Sequence, residues 1–477
     1  MLKRLTKDEY ARRAADCNRV AVFREYLADR ETPVAALSRL DPGEDAFLLE
    51  SVSGGEARGR YSFLGLEPSA TFSGDDALAR LKDHLGSIRY RAAPELQPFQ
   101  GGAVGYVAYD AVALFEPKVR PGREEGVPPA NFMLCENFLV FDNVRGTVTV
   151  ATIADTSDPD AYEKALARID GIYARTLSAE SIARTVERDA GMRKPSPRTG
   201  GGFEPEMSRE QFREIVARCK EAIRSGEVIQ IVPSQKFTAK SGASALSLYR
   251  ALRSVNPSPY NFFLKSGAKT LIGSSPEELV KLSGRTASTS PIAGTRPRGG
   301  TPAEDAALER ELRNDEKENA EHIMLVDLGR NDLGRVCETG SVRVEDLKRV
   351  ERYSHVMHLV SSVKGELRPG LDGFDLLGAA FPAGTLSGAP KVRAMQLIAE
   401  YEKSPRGIYG GAAGYFSFTG DADFAIVIRT LAKDGDTLTM RSGAGIVADS
   451  DADREYDETV NKAKAVFEAV AFAEELQ

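Results

Sequence analysis

Two pairs of glutamates, Glu318 with Glu321 and Glu455 with Glu458, are each spaced three residues apart, and Lys462 follows the second pair four residues on. A three-residue step turns a helix by about 60°, so each pair would project as two carboxylates from one face. If the two faces meet, they need a cation between them. If they do not, they are solvated acidic faces. Their neighbours favour a meeting: Glu318 and Glu321 run into Ile323, Met324, Leu325 and Val326, while Glu458 and Lys462 lie among Val460, Ala463, Val466 and Phe467.

Arg429 closes the apolar run Phe424 to Ile428, where an arginine must find an anion, either a structural partner or a ligand. Gly443-Ala444-Gly445 lies between Arg429 and Lys462, ahead of a predicted helix. It is either a tight turn or a place where backbone N–H groups approach an anion. With the two cations it suggests a carboxylate pocket, and with the four glutamates a carboxylate bridged to a hard divalent ion such as Mg²⁺. Two of the four histidines, His355 and His358, precede a β-branched run; on a strand they point to opposite faces, which disfavours a two-histidine metal site and leaves His358 as a packed residue or an acid/base. Glu277, after Ser-Pro, is a helix start or a chemical group. Gln230 shares a strand face with Val228 and Val232, where an amide is unexpected.

The elements that must position these groups change character along the chain. Short apolar runs (Phe47 to Leu49, Ala103 to Tyr109, Phe138 to Phe141, Val148 to Ile153) read as strands, followed by a helix from about Asp158 to Arg188 and the Pro/Gly-rich segment Lys194 to Gly202. Ser208-Arg-Glu-Gln211 is a capping box for a helix carrying Phe212, Ile215, Val216, Cys219 and Ile223, with Gly226 as its stop. Strands are predicted near 228–232, 262–264, 270–272, 356–363, 415–418, 424–431 and 437–441, and long helices near 302–328 and 452–475. The expected class is α+β, with large, mostly antiparallel, sandwich-like sheets flanked by helices, divided in sequence into 1–195 and 204–472.

Net charge of −7 with dispersed basic residues gives no reason to expect nucleic acid or a membrane surface as partner. Cys17, Cys135, Cys219 and Cys337 have no metal-like spacing and fit free thiols in a reducing compartment. With neither an apolar leader nor a run of about 18 apolar residues, a soluble cytoplasmic protein is expected.

Five segments together resemble the chorismate-utilising enzymes, and most closely anthranilate synthase component I: Pro291-Ile-Ala-Gly-Thr-Arg-Pro-Arg298, Leu325-Val-Asp-Leu-Gly-Arg-Asn-Asp332, His355-Val-Met-His-Leu-Val-Ser361, Phe381-Pro-Ala-Gly-Thr-Leu-Ser-Gly-Ala-Pro-Lys391 and Asp457-Glu-Thr-Val-Asn-Lys462. The resemblance spans roughly 205–470, and Leu48-Leu-Glu-Ser51 and Arg60-Tyr-Ser-Phe-Leu-Gly65 extend it toward the N-terminus. It implies that Glu321 and Glu458 hold Mg²⁺, with Glu318 and Glu455 as outer carboxylates, and that the ion holds the ring carboxylate of chorismate. Gly294, Thr295, Thr385, Tyr409, Arg429, Gly443, Ala444, Gly445 and Lys462 would line the substrate pocket. Glu277 would protonate the departing 4-hydroxyl, and His358 would assist proton transfer near the ring.

Two positions separate siblings of this family. Isochorismate and salicylate synthases carry a lysine base where this chain has Gln230, and an amide cannot deprotonate water. Aminodeoxychorismate synthases typically carry a lysine nucleophile where this chain has Ala293. Both positions imply direct attack by ammonia, giving anthranilate; aminodeoxychorismate synthesis is the alternative, and a silent tryptophan-binding regulator is the alternative of another class. No cysteine sits in a nucleophile turn and the sequence stops soon after the last motif, so ammonia is expected from glutamine through a separate glutamine amidotransferase subunit. The elements Leu48 to Ser51 and Asn256 to Asn261 imply feedback inhibition by L-tryptophan through Ser51, Pro259, Tyr260 and Asn261. Asn261 stands where the family has an apolar residue, so less apolar packing against an indole is expected.

Overall fold

The computed structural model describes residues 2–40, 43–51, 59–96, 98–178, 202–352 and 356–475. His355, most of the Lys194–Gly202 segment and the end of the helix expected to reach Arg188 lie outside these residues; the described helix is Ala161–Thr176.

The apolar runs pair into two large sheets in which every pairing is antiparallel. The first has eleven strands. Five come from the N-terminal region, in the order Arg19–Leu27, Thr147–Asp155, Asn137–Asp142, Tyr61–Leu66 and Ala46–Glu50. Six follow from the C-terminal region: Tyr260–Ser266, Lys269–Ser275, Thr430–Asp434, Thr437–Gly443, Ser234–Lys240 and Glu204–Pro205. The second sheet has ten strands and is also shared, with Ala412–Ser417 pairing Gly102–Val107. At that seam Gly414 lies opposite Gly105. A Cβ on either would come within 2.0 Å of a carbonyl on the strand flanking the seam, Asp423 O beside Gly414 or Asn131 O beside Gly105, so each position needs glycine to sit against its outer neighbour.

Both sheets therefore run across the linker that divides 1–195 from 204–472. The core does too: Phe99 packs against Phe47, Phe63 and Phe138 and also against Tyr415, at centroid distances of 5.1 to 6.0 Å.

The helices frame one end of this sandwich. Arg209–Arg224 begins at the Ser208 capping box, with Phe212, Ile215, Val216 and Cys219 turned inward, and Ala452–Glu475 buries Ala463, Val466, Ala469 and Val470. The helix expected over 302–328 is two, Pro302–Asn314 and Glu316–Gly334. Asp315 leaves helical geometry between them and its side chain accepts from the Glu318 N–H. That break starts the second helix just ahead of Glu318.

The strand expected over 424–431 is also two. Ala422–Ile426 belongs to the second sheet and Thr430–Asp434 to the first. The chain crosses between sheets at 427–429, where Arg429 adopts a left-handed φ of 48°.

Candidate active site

The crossing at Arg429, the first turn of Glu316–Gly334, the first turns of Ala452–Glu475 and the edge strand Ile292–Pro297 enclose a cavity of about 430 Å³. Its walls include Gln230, Glu277, Gly294, Thr295, His358, Thr385, Tyr409, Arg429, Gly443, Gly445 and Lys462, along with all four glutamates.

Glu277 sits between the strands Lys269–Ser275 and Glu278–Ser283, not at a helix start. Its Oε1 accepts a 2.9 Å hydrogen bond from Thr385 Oγ1. Burial pushes its carboxyl up to about 7, against the opposing pull of Thr385, Lys462 and Arg429. A carboxyl with that value is part neutral at physiological pH and can donate a proton. His358 lies on the strand Val356–Glu366, with Nδ1 3.2 Å from Gly294 O and 3.0 Å from Thr295 Oγ1. A carbonyl only accepts, so Nδ1 carries the proton and Nε2 is the basic nitrogen of the neutral ring. Burial, reinforced by Arg429, lowers the ring's pKa and keeps it neutral.

Arg429 has no structural carboxylate partner among the described residues; its Nη1 reaches Asn256 Oδ1 at a long 3.4 Å. Burial lowers its pKa, opposed only by the charge of Glu277. It is a cation held ready for an anion. Lys462 bonds Glu458 at 2.7 Å and Gly443 O at 3.1 Å, so it ties a glutamate to the glycine turn.

The glycine turn differs from expectation in two ways. The helix starts only at Ala452, and Gly443 and Gly445 have no positive φ. Each is needed for closeness: a Cβ on Gly445 would lie 2.9 Å from Gln230 Nε2, and one on Gly443 2.7 Å from Pro233 O. Ala444 does not line the cavity. It is fully buried in a separate apolar cluster with Ile231 and Ile446, and its N–H donates to Pro233 O.

The two glutamate pairs face this one cavity from two helices. Burial and the charge of Glu321 raise the Glu318 carboxyl, and burial and Glu458 raise Glu455. Glu455 Oε2 is buried without a hydrogen-bond partner. Among the described residues no three carboxylate, histidine or cysteine groups form a ready-made metal cage. An all-oxygen, mutually repelling set with an orphaned oxygen nevertheless fits Mg²⁺, which keeps several waters and takes only one or two carboxylates beside the substrate's own oxygens.

Ser51, Pro259, Tyr260 and Asn261 line a second cavity, of about 220 Å³. Asn261 spends its amide inside the protein, donating to Ser258 O at 2.7 Å and accepting from Ser274 Oγ at 2.7 Å. Pro276 and Ile292 are walls of both cavities.

Sequence reasoning missed Lys317 and Arg441, which also line the larger cavity. The four-residue step from Lys317 to Glu321 and the two-residue step from Arg441 to Gly443 were the available signals.

The sequence matches the family described as chorismate binding enzyme over residues 44–468. It is 46% identical over 465 residues to anthranilate synthase component 1 of Streptomyces coelicolor, covering 95% of this chain and 89% of that one. It is 43% identical over 496 residues to the Neisseria meningitidis serogroup B protein of the same name, covering 99% of each. The crystal structure of anthranilate synthase component I from Streptococcus pneumoniae superimposes with a TM-score of 0.72 at 36% identity, over 93% of this chain and 99% of that one. The menaquinone-specific isochorismate synthase MenF of Escherichia coli shares the fold, with a TM-score of 0.72 at 20% identity over 97% and 98% of the two chains. The residues around the cavity thus sit in a sequence related over nearly its whole length to one group, and this chain belongs to the anthranilate synthase component 1 family of chorismate-binding enzymes.

Proposed function

We propose that the chain converts chorismate and ammonia to anthranilate and pyruvate by way of 2-amino-2-deoxyisochorismate, the first step of tryptophan biosynthesis. The observation that carries this reading is the pairing of a poised acid with a missing base: Glu277 is held near neutrality at about 7, while Gln230 and Ala293 occupy the cavity wall where water activation or covalent attack would need a lysine.

In the first step ammonia forms the C2–N bond as the C4–O bond breaks. Glu277 gives its proton to the leaving hydroxyl, which departs as water. In the second step C2 loses its proton and the C3–O bond of the enolpyruvyl ether breaks, which makes the ring aromatic and releases the enol of pyruvate. Nε2 of His358 is the ring nitrogen that would accept that proton, since Nδ1 carries the ring's own. Arg429 supplies a fixed cation for a substrate carboxylate. Mg²⁺, held by Glu321 and Glu458 with Glu318 and Glu455 outside them, would neutralise and orient the ring carboxylate.

A separate glutaminase subunit would supply the ammonia, and L-tryptophan would occupy the cavity at Ser51, Pro259, Tyr260 and Asn261 as feedback inhibitor. The four cysteines are buried free thiols, which fits a reducing compartment such as the cytoplasm, and among the described residues no helix is long and apolar enough to cross a membrane.

The test is to incubate the chain with chorismate, Mg²⁺ and an ammonium salt and follow anthranilate fluorescence. Aminodeoxychorismate or isochorismate in its place would overturn the assignment. Chelation should abolish turnover and Mg²⁺ restore it; full activity in chelator would remove the metal from the reading.

A further inference from the structure

His322 follows Glu321 directly and takes no part in lining the cavity. It is fully buried, on the face of the helix Glu316–Gly334 that also buries Val326, Gly329 and Leu333. An imidazole on this otherwise apolar face is costly. Nε2 lies 2.6 Å from Ser361 Oγ, but Nδ1 is buried with no hydrogen-bond partner among the described residues. A leucine would fill the place at lower cost, so packing alone does not account for the residue.

The bond of the ring goes to a junction. Ser361 Oγ also accepts the Lys348 N–H at 3.0 Å, where a bulge takes Lys348 out of the strand ladder at a left-handed φ of 57°. The Ser361 N–H donates to Pro291 O at 3.1 Å, at the head of the segment that carries Gly294 and Thr295. Ser361 itself belongs to the strand Val356–Glu366, which carries His358. The hydroxyl is therefore fixed to the strands that build one edge of the active site, and His322 fixes the helix to the hydroxyl.

Two contacts on this face set the helix. At Gly329 the backbone packs so close that a Cβ would lie 2.9 Å from Thr289 Cγ2. His322 stands about two turns earlier on the same side, and its bond is directional where the Gly329 contact is not. Together they fix the rotation of the helix and how far its first turn, with Glu318 and Glu321, extends into the cavity. The two facing pairs of carboxylates repel each other and press that turn outward until a cation neutralises them.

On the reading that Mg²⁺ sits among these glutamates, we propose that His322 is the positioning residue of the metal site. Through Ser361 it holds Glu318 and Glu321 in place against that repulsion and so sets the affinity for the ion, touching neither ion nor substrate.

The test titrates Mn²⁺, a spin-active stand-in for Mg²⁺, into the full chain with chorismate present and ammonia absent, so that binding is read without turnover. Ser361→Ala and His322→Leu each remove the bond, and His322→Gln places an amide where Nε2 lies and can remake it. The first two should weaken Mn²⁺ binding, and raise the Mg²⁺ concentration for half-maximal anthranilate formation, by about 10–100-fold. Their kcat at saturating Mg²⁺ should stay close to wild type, and His322→Gln should resemble wild type in all three measurements. The double variant Ser361→Ala/His322→Leu should bind Mn²⁺ no more weakly than the worse single variant, because both remove one bond. If His322→Leu does not fold, Ser361→Ala, which deletes a single oxygen, decides alone. Unchanged Mn²⁺ affinity in Ser361→Ala overturns the proposal even if its melting temperature falls, since that combination marks a structural role only. So does a His322→Gln variant as weak as His322→Leu, which would mean that the bond to Ser361 is not what holds the helix. A wild-type chain that binds no Mn²⁺ in the presence of chorismate refutes the metal reading itself, whatever the variants do.

Discussion

At neutral pH Glu277 stands near the midpoint of its own titration, and this makes it both useful and costly. Its carboxyl is held above the ordinary glutamate value of 4.5, at about 7, so the fold favours the neutral form. That contribution to stability is fully present below pH 4.5 and is lost as pH rises through 7. Glu277→Gln keeps the shape and removes the charge. It should lower kcat by about 10²–10⁴, yet above pH 7 it should raise stability over wild type by about 1–3 kcal/mol, allowing for the carboxyl's partial exposure. At pH 4 the two proteins should melt alike. Denaturant midpoints at the two pH values check this, and a variant no more stable at pH 8 would show that the carboxyl is not strained there. Wild-type turnover should decline above pH 7 as the acid is lost. Asn261 is the opposite case, a polar group fully satisfied by the protein. Asn261→Met should cost about 1–3 kcal/mol by stranding the buried Ser258 carbonyl, read as a lowered unfolding midpoint.

Between elements, the pair Asp332–Lys391 joins the helix that carries Glu318 and Glu321 to the motif that carries Thr385. Lys391 Nζ lies 2.8 Å from both Asp332 oxygens and 3.0 Å from Ala380 O, with side-chain exposures of 12% and 14%. Lys391→Met leaves a buried carboxylate alone and should cost about 3–5 kcal/mol, while Asp332→Leu with Lys391→Met should recover much of it. Equal losses in the single and double variants would contradict this account. This scale is also where the sequence is most and least legible. The helices Arg209–Arg224 and Ala452–Glu475 announce themselves through a capping box and apolar spacing, because those signals are local. The crossing at 427–429 is invisible in the run Phe424 to Ile428, since apolarity reports burial and not which sheet buries it. The break at Asp315 was hidden for a similar reason: charged helix formers continue on both sides of it. Type and motif pointed to the glutamates, Glu277, His358 and Arg429, and these side chains line one cavity. The side chain of Ala444 packs into the neighbouring apolar cluster, since a motif names neighbours without saying which way each one faces.

For the molecule as a whole, the sheets make the two sequence regions one folding unit. The strand Tyr260–Ser266 pairs with Ala46–Glu50 from Asn261↔Glu50 to Lys265↔Ala46, and Ala412–Ser417 pairs with Gly102–Val107 along its length. Removing residues 1–195 would bare both of these apolar strand edges and open the aromatic core around Phe99 and Tyr415. The smaller cavity sits on the same seam, with Glu50 and Ser51 from one region, Pro259 to Phe262 from the other, and Pro276 shared with the active site beside Glu277. A ligand filling it binds only the assembled sandwich and braces the wall that holds the acid. The fragment 204–477 should therefore aggregate or melt without cooperativity when made alone, and should regain a cooperative transition and chorismate turnover when co-expressed with 1–195. In the intact chain L-tryptophan at a hundred times its Kd should raise stability by about 2.7 kcal/mol, shifting a single transition as a whole. A fragment 204–477 that melts cooperatively and turns over chorismate by itself, or a ligand that shifts only one of two transitions, would mean that the shared strands do not couple the regions energetically.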